Sequence, residues 1–290
     1  LLVGAPGAGK TMLARCIPTI MPDMTFEEAL ETTKIHSVAG TLTDEGIVRT
    51  RPFMTPHHTA TNIALIGGGT NAKPGVISLA HNGVLYLDEL PEYPRATLEC
   101  LRQPLEDRVV TVSRAKLTVN YPASFIMCAS MNPCPCGNYG SKKLECKCSP
   151  AQIMKYKAKI SGPLLDRIDL QVEVDCVEYD DLVSKEVGES SASVKRRVNR
   201  TRAIQRERFK NDKIKTNSEM TEKHLAKYCK LTKDEEELLK ASFEAFKLSA
   251  RARGRILKVA RTIADMSLSE DILPEHLLEA ISYRKFDINK

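Results

Sequence analysis

The sequence contains no tryptophan, and aromatic residues supply only 5% of its 290 positions. So few rings argue against a surface that grips a strand-like ligand by stacking side chains along it. Long apolar runs are missing too. A membrane-spanning helix needs roughly 18 apolar residues in a row, and nothing here approaches that, so no membrane partner is expected. The start lacks both an initiator Met and a signal-peptide pattern, and Leu1-Leu2-Val3 reads as a core strand. It predicts a fragment of a longer, cytoplasmic protein. Neither sign of charge dominates: 43 Lys and Arg against 37 Asp and Glu leave +6, too little to argue for a polyanionic partner by itself.

What is present describes a globular chain, with 42% hydrophobic and 28% charged residues and length for one large or two smaller domains. The organising stretch is Gly4-Ala5-Pro6-Gly7-Ala8-Gly9-Lys10-Thr11. Its G-x-x-x-x-G-K-T spacing follows an apolar run and leads into Met12-Leu13-Ala14-Arg15-Cys16-Ile17, predicting strand, glycine loop and helix. Such a loop points backbone N–H groups and a helix N-terminus at one spot, where the phosphates of ATP can be held. Lys10 would reach the β- and γ-phosphates, and the Thr11 hydroxyl would ligate Mg²⁺.

A second apolar stretch, Val84-Leu85-Tyr86-Leu87, ends in Asp88 and Glu89. In a parallel sheet its end lies beside the phosphate loop. Asp88 can then belong to the Mg²⁺ shell, and Glu89 can accept a proton from the attacking water. The strand through Phe125-Ile126-Met127-Cys128-Ala129-Ser130 delivers Asn132 to the same edge, where it can orient water or sense the γ-phosphate.

Between these elements, Pro18 and Pro22 mark a break after the first helix. Thr25 with Glu28 forms a capping-box pattern for a second. Residues 38–83, rich in Gly and Pro, predict short strands and loops. Residues 95–105 read as one helix with Leu98, Leu101 and Leu105 on a face. Residues 109–120 read as a hairpin with Arg114 and Lys116 at a basic tip. Beyond Cys176 the composition turns helical and charged, dividing the chain into an α/β domain over 1–176 and a helical lid over 177–290. In that lid Ile256, Val259, Ala260, Ile263 and Met266 form one apolar stripe, and Leu277, Leu278 and Ile281 another. Seven basic residues against one acid between Lys195 and Arg208 fit either a solvated helix face or a phosphate-binding surface.

Nine cysteines beside an ATP motif argue for reduced thiols or a metal rather than a disulfide framework. Cys134, Cys136, Cys146 and Cys148 can close a tetrahedral Zn²⁺ site. Their C-x-C pairs depart from the usual wider spacing, so zinc, free or redox-active thiols and disulfides all stay open. His57 and His58 have no partner at ligand spacing and read as loop residues.

Several of these segments together resemble the YifB/ComM group of magnesium-chelatase-like AAA+ ATPases. They are the phosphate loop, Thr55-Pro56-His57-His58-Thr59, Ile77-Ser78-Leu79-Ala80-His81-Asn82-Gly83 into Asp88-Glu89, Met131-Asn132-Pro133-Cys134-Pro135-Cys136-Gly137, and residues 161–169. The likeness covers almost the whole chain. It implies an AAA+ P-loop NTPase, a parallel sheet flanked by helices and followed by an α-helical lid, assembled as a homo-hexameric ring with ATP at subunit interfaces. An N-terminal Lon-protease-like domain normally precedes that module. By resemblance, Arg167 is the finger that reaches a neighbour's γ-phosphate and Arg251 the lid sensor, with Arg255 and Arg261 as competitors. For each, a surface salt bridge is the plainer reading. The function implied is a DNA motor on single-stranded or branched DNA, of the branch-migrating kind used in natural transformation and recombination. The alternative is a chelatase-type or chaperone-like ATPase that remodels a partner protein.

Overall fold

A computed structural model describes residues 1–42, 46–114, 117–141, 144–176, 183, 188–246 and 248–284. The chain begins with β1 (Leu2–Val3), the phosphate loop and α1 (Lys10–Ile20), then α2 (Phe26–Ala39). The Thr25 hydroxyl accepts from the Glu28 N–H and the Glu28 carboxylate accepts from the Thr25 N–H, closing the capping box at the start of α2. Next come β2 (Phe53–Met54), α3 (Asn62–Ile66), β3 (Gly67–Gly68), β4 (Lys73–Pro74), α4 (Val76–Leu79) and β5 (Val84–Leu87). They lead to α5 (Arg95–Glu99), α6 (Arg102–Asp107), the hairpin β6 (Val109–Arg114) and β7 (Leu117–Pro122), and β8 (Ile126–Met131). After α7 (Pro150–Lys157), α8 (Gly162–Leu165) and β9 (Val172–Glu173), the rest is helical: α9 (Ser191–Arg208), α10 (Glu222–Tyr228), α11 (Lys233–Phe246), α12 (Ala250–Met266) and α13 (Pro274–Ser282).

The main sheet has the order β2-β5-β8-β1-β9, and every pairing in it is parallel. All four residues of β5 are buried, as a strand covered on both faces requires. Register sets the site: Leu87 pairs with Ala129 and Val3 with Met131, so Gly4, Asp88 and Asn132 emerge together at one sheet edge. Leu65, Ile77, Leu85, Leu90 and Leu164 fill the core beneath.

The helical region has its own core, centred on Leu239, Ile256, Leu257, Leu277 and Ile281. It is tied to the first by polar contacts. Thr19 Oγ1 donates to Ser191 Oγ at 3.0 Å, Arg255 donates to Arg167 O at 3.0 Å and Asp169 Oδ1 at 2.7 Å, and Gln171 N donates to Tyr283 O at 2.8 Å. Among the described residues no helix is long and apolar enough to cross a membrane.

Several expectations are corrected. Pro18 does not end α1 but sits in its last turn, and α2 continues through Val38 to Ala39. The stretch up to Gly83 contains short helices as well as strands. Residues 95–105 form two helices, broken around Cys100–Leu101, although Leu98 and Leu101 are both buried as the spacing predicted. Met266 and Leu278 are 44% and 53% exposed, because each stripe meets the core on a narrower arc than its apolar residues span. The strands of the hairpin are longer than expected, and Lys116 at its tip lies outside the described residues.

The arginine-rich helix α9 divides its charges. Arg208 forms an ion pair with buried Asp265, which also accepts from Arg261 Nε at 3.1 Å and Asn217 Nδ2 at 2.8 Å. A buried carboxylate needs such partners. Lys195 reaches Asp23 at 2.5 Å. Arg196, Arg200 and Arg206 face solvent.

Candidate nucleotide site

Gly7 and Gly9 adopt φ of 81° and 80°, the left-handed region where a side chain is disfavoured. The turn they make carries the chain from β1 into α1. Gly9 caps that helix without a side chain, and the first turn holds no acid, so an anion at this helix start would meet backbone N–H groups with no competing carboxylate. Lys10 Nζ folds back over the loop and donates to Gly4 O at 2.7 Å, Ala5 O at 2.8 Å and Asn132 Oδ1 at 3.2 Å. Burial lowers the Lys10 pKa, with the nearby Asp88 charge opposing that shift. Residues Gly4, Ala5, Pro6, Gly7, Ala8, Gly9, Lys10 and Thr11 thus form one cradle.

Thr11 Oγ1 donates to Asp88 Oδ2 at 3.2 Å. On its other oxygen Asp88 receives Tyr86 Oη at 2.9 Å and the Ser130 hydroxyl. Tyr86 Oη also lies 3.1 Å from Thr11 Oγ1. Burial alone would raise the Asp88 carboxyl. The hydrogen bonds from Ser130, Tyr86 and Thr11 outweigh it and hold the pKa below the usual range. Burial also pushes the Tyr86 phenol up, keeping it a donor. A hydroxyl beside an ionised carboxylate, next to a cationic cradle, fits Mg²⁺ bound to a nucleotide, which when present would draw charge from the phosphate oxygens. Thr11 and Asp88 are the residues that would hold it.

Tyr86 and Ser130 received no role from sequence reasoning, although strand alternation carried the signal: Tyr86 stands two residues before Asp88 and Ser130 two before Asn132, on the same faces. Tyr86→Phe should therefore remove one donor from the Asp88 carboxylate. A hydrogen bond to a charged group is worth about 1.5–3 kcal/mol, so the Mg²⁺ concentration that half-saturates ATP hydrolysis should rise about tenfold or more. Turnover at saturating Mg²⁺ should change less, as a Mg²⁺ titration will show.

Glu89 is exposed beside this cluster, with φ 51° and ψ 52°. Its N–H donates to Asp88 Oδ1 at 3.1 Å and Ser130 Oγ at 3.2 Å, which fix the left-handed turn. A cleft beyond it is lined by Glu89, Asn132, Pro135, Lys155, Tyr156 and Lys159. A carboxylate at the mouth of such a cleft, next to a phosphate cradle, can take a proton from a water that attacks along it.

Directly after Asn132, Cys134, Cys136, Cys146 and Cys148 converge, with their sulphurs all within 4.8 Å of one another. Cys134 Sγ lies 3.4 Å from Cys136 Sγ and 3.7 Å from Cys146 Sγ. Four thiolates at about 2.3 Å from a tetrahedral zinc stand roughly 3.8 Å apart, so the spacing fits. All nine cysteines are free thiols in this structure. Backbone N–H groups of Asn138 and Lys147 pull the Cys136 thiol down to about 6. Cys146 receives a backbone N–H from Cys148, yet desolvation and its bonds to Cys134 and Cys136 push it up to about 12. Crowded thiols resist joint ionisation, and a cation removes that resistance.

The remaining predicted residues lie apart from this cradle. Arg167 is buried, forming an ion pair with Glu106 and donating to Pro163 O at 2.6 Å. Arg251 is exposed in the first turn of α12, with no hydrogen-bond or ion-pair partner among the described residues. Arg255 and Arg261 are both engaged, the latter buried on Asp265, Ser269 O and Glu270 O. Among the described residues, Arg251 is thus the one of the three without a partner. The His57 and His58 rings lie 4.1 Å apart, tilted by 34°, and His58 meets Tyr93 edge-on.

Comparison with known proteins agrees with this arrangement. Residues 1–182 match the family described as magnesium chelatase, subunit ChlI, and residues 188–284 match its C-terminal region. YifB of Escherichia coli is 45% identical over 289 residues, covering 99% of this chain and 56% of the relative. Competence protein ComM of Haemophilus influenzae is 44% identical over 285 residues, covering 98% and 55%. Magnesium-chelatase subunit ChlI of Olisthodiscus luteus is 24% identical over 144 residues, covering 46% and 42%. The chain spans about 56% of the length of YifB. With a phosphate cradle, an Asp-Glu strand end and a helical region on a parallel sheet, the chain belongs to the magnesium-chelatase-like AAA+ family, in its YifB/ComM group.

Proposed function

We propose that this chain is the ATP-hydrolysing module of a motor that works on DNA as a homo-hexameric ring. The observation that carries the ATPase part is the continuous network from Thr11 through Tyr86, Asp88 and Ser130 to the Glu89 N–H. It sets a metal-holding pair and a proton acceptor beside one phosphate cradle. Lys10 binds the phosphates, Glu89 takes the proton of the attacking water, and Asn132 touches Lys10 where the γ-phosphate would lie. Arg167 of one subunit and Arg251 of the lid supply charge across or over the bound nucleotide. The Cys quartet holds one structural Zn²⁺.

The DNA half rests on the likeness to competence protein ComM, with the exposed Arg196, Arg200 and Arg206 as phosphate contacts. It carries over to this chain as branch migration during recombination of incoming DNA. With few aromatics, the grip follows the phosphate backbone. The match to ChlI favours a second reading, an ATPase that remodels a partner protein. ATP hydrolysis with and without single-stranded, forked and duplex DNA separates them. The DNA motor should be stimulated, least at high salt, with a log-log slope of roughly 0.7 to 0.9 per neutralised phosphate. A verified ring indifferent to every DNA at low salt would exclude the motor in favour of the remodelling reading.

A further inference from the structure

The cysteine loop and the residue leading into it touch the phosphate loop at two places, and the sequence placed only Asn132 near it. Asn132, two residues before Cys134, bonds Lys10. The other contact is Gly137, one residue past Cys136, which is buried at φ 82°. A Cβ there would lie 2.4 Å from Pro6 Cδ and 2.8 Å from Pro6 Cγ, closer than packed carbon atoms come. The loop backbone therefore lies flush on the phosphate loop, and only a glycine allows it. Cys134 is fully buried and accepts from Tyr139 N at 3.3 Å, while Gly137 N donates to Cys134 O at 3.0 Å. One sulphur thus anchors the turn that presses on Pro6.

The far arm, with Cys146 and Cys148, meets this turn through sulphur: Cys146 Sγ lies 3.7 Å from both Cys134 Sγ and Cys136 Sγ. No helix or strand spans 137–145 in the described residues; Ser141 N to Asn138 O and Leu144 N to Ser141 Oγ are local turns. Closing such a loop costs chain entropy, and thiol contacts at 3.7 Å alone do little to offset it. A metal bound to all four offsets it.

We propose that the metal held by Cys134, Cys136, Cys146 and Cys148 is a structural part of the nucleotide site: the loop it closes braces the phosphate loop through Gly137 on Pro6 and holds Asn132 against Lys10. This rests on the reading of the quartet as a metal site. Metal binding and nucleotide binding then favour one another, and linkage requires the factor to be the same in both directions.

The test uses the protein purified without chelator. Elemental analysis should find about one Zn per chain, by the four-ligand rule. ADP, which binds without turnover, is titrated into zinc-loaded and zinc-stripped protein. Zinc affinity is measured against a competing chelator with and without ADP. Stripping should weaken ADP about tenfold, and ADP should tighten zinc by the same factor. Gly137→Ala should keep its zinc and lose ADP affinity toward the stripped level, which holds the test open should stripped protein fail to fold. Zinc bound at one equivalent, with ADP affinity unchanged both by stripping and by Gly137→Ala, overturns the brace and leaves the metal site standing. No zinc in folded protein overturns both.

Discussion

Glu89→Gln should yield a protein that binds ATP normally and scarcely hydrolyses it. The substitution keeps size and leaves the backbone contacts of residue 89 with Asp88 and Ser130 in place. An amide cannot accept the proton of the attacking water. Losing a general base typically costs about 10²–10⁴ in rate, and single-turnover measurements should show the loss in the chemical step. Lys10→Ala provides the contrast. Lys10 is the cation of the cradle, bonded to Gly4 O, Ala5 O and Asn132, so its removal should abolish nucleotide binding itself. Turnover in Glu89→Gln within about tenfold of the parent would take the general-base role away from that residue.

Arg167→Ala should lower turnover about 10³-fold or more with ATP affinity largely intact, the signature of charge stabilisation confined to the transition state. Burial of Arg167 against Glu106 sharpens the test. A role confined to that ion pair would show as lowered thermal stability, and Glu106→Ala would reproduce it. A finger acting across subunits instead leaves Glu106→Ala active, since only the resting partner is lost. Glu106 is half exposed while Arg167 is buried, so a phosphate that replaced Glu106 would have to take over the pairing of that buried charge. Mixing Arg167→Ala with Lys10→Ala chains should restore some hydrolysis at mixed interfaces. Absence of rescue at every ratio, with both proteins assembled, would count against a site shared between subunits.

Much of the candidate nucleotide site lies in contiguous motifs and is legible in the sequence. The loop from Gly4 to Thr11 needs only local spacing to form its cradle, and a strand ending in Asp88-Glu89 must, in a parallel sheet, end near it. The capping box at Thr25 follows an equally local rule. Helix limits were less legible. Pro18 is tolerated in the last turn of α1, because its missing N–H and its ring disturb only the turn before it. Met266 and Leu278 match their stripes in period, yet face solvent, since period fixes a face and packing decides how wide an arc is covered.

By itself, then, the amino-acid sequence determined the phosphate loop, the carboxylate pair, the four-cysteine spacing and the family, all of which depend on neighbours along the chain. Tertiary structure alone decided the rest. Register between β5 and β8 brought Ser130 onto Asp88, and burial of β5 made the Tyr86 hydroxyl a donor to it. The fold also sorted like charges by environment, sending Arg208 and Arg261 to buried Asp265 while leaving Arg251 exposed. It seated Gly137 on Pro6 across more than a hundred residues of chain. Spacing carries no information about such contacts, because they depend on which surfaces packing brings together.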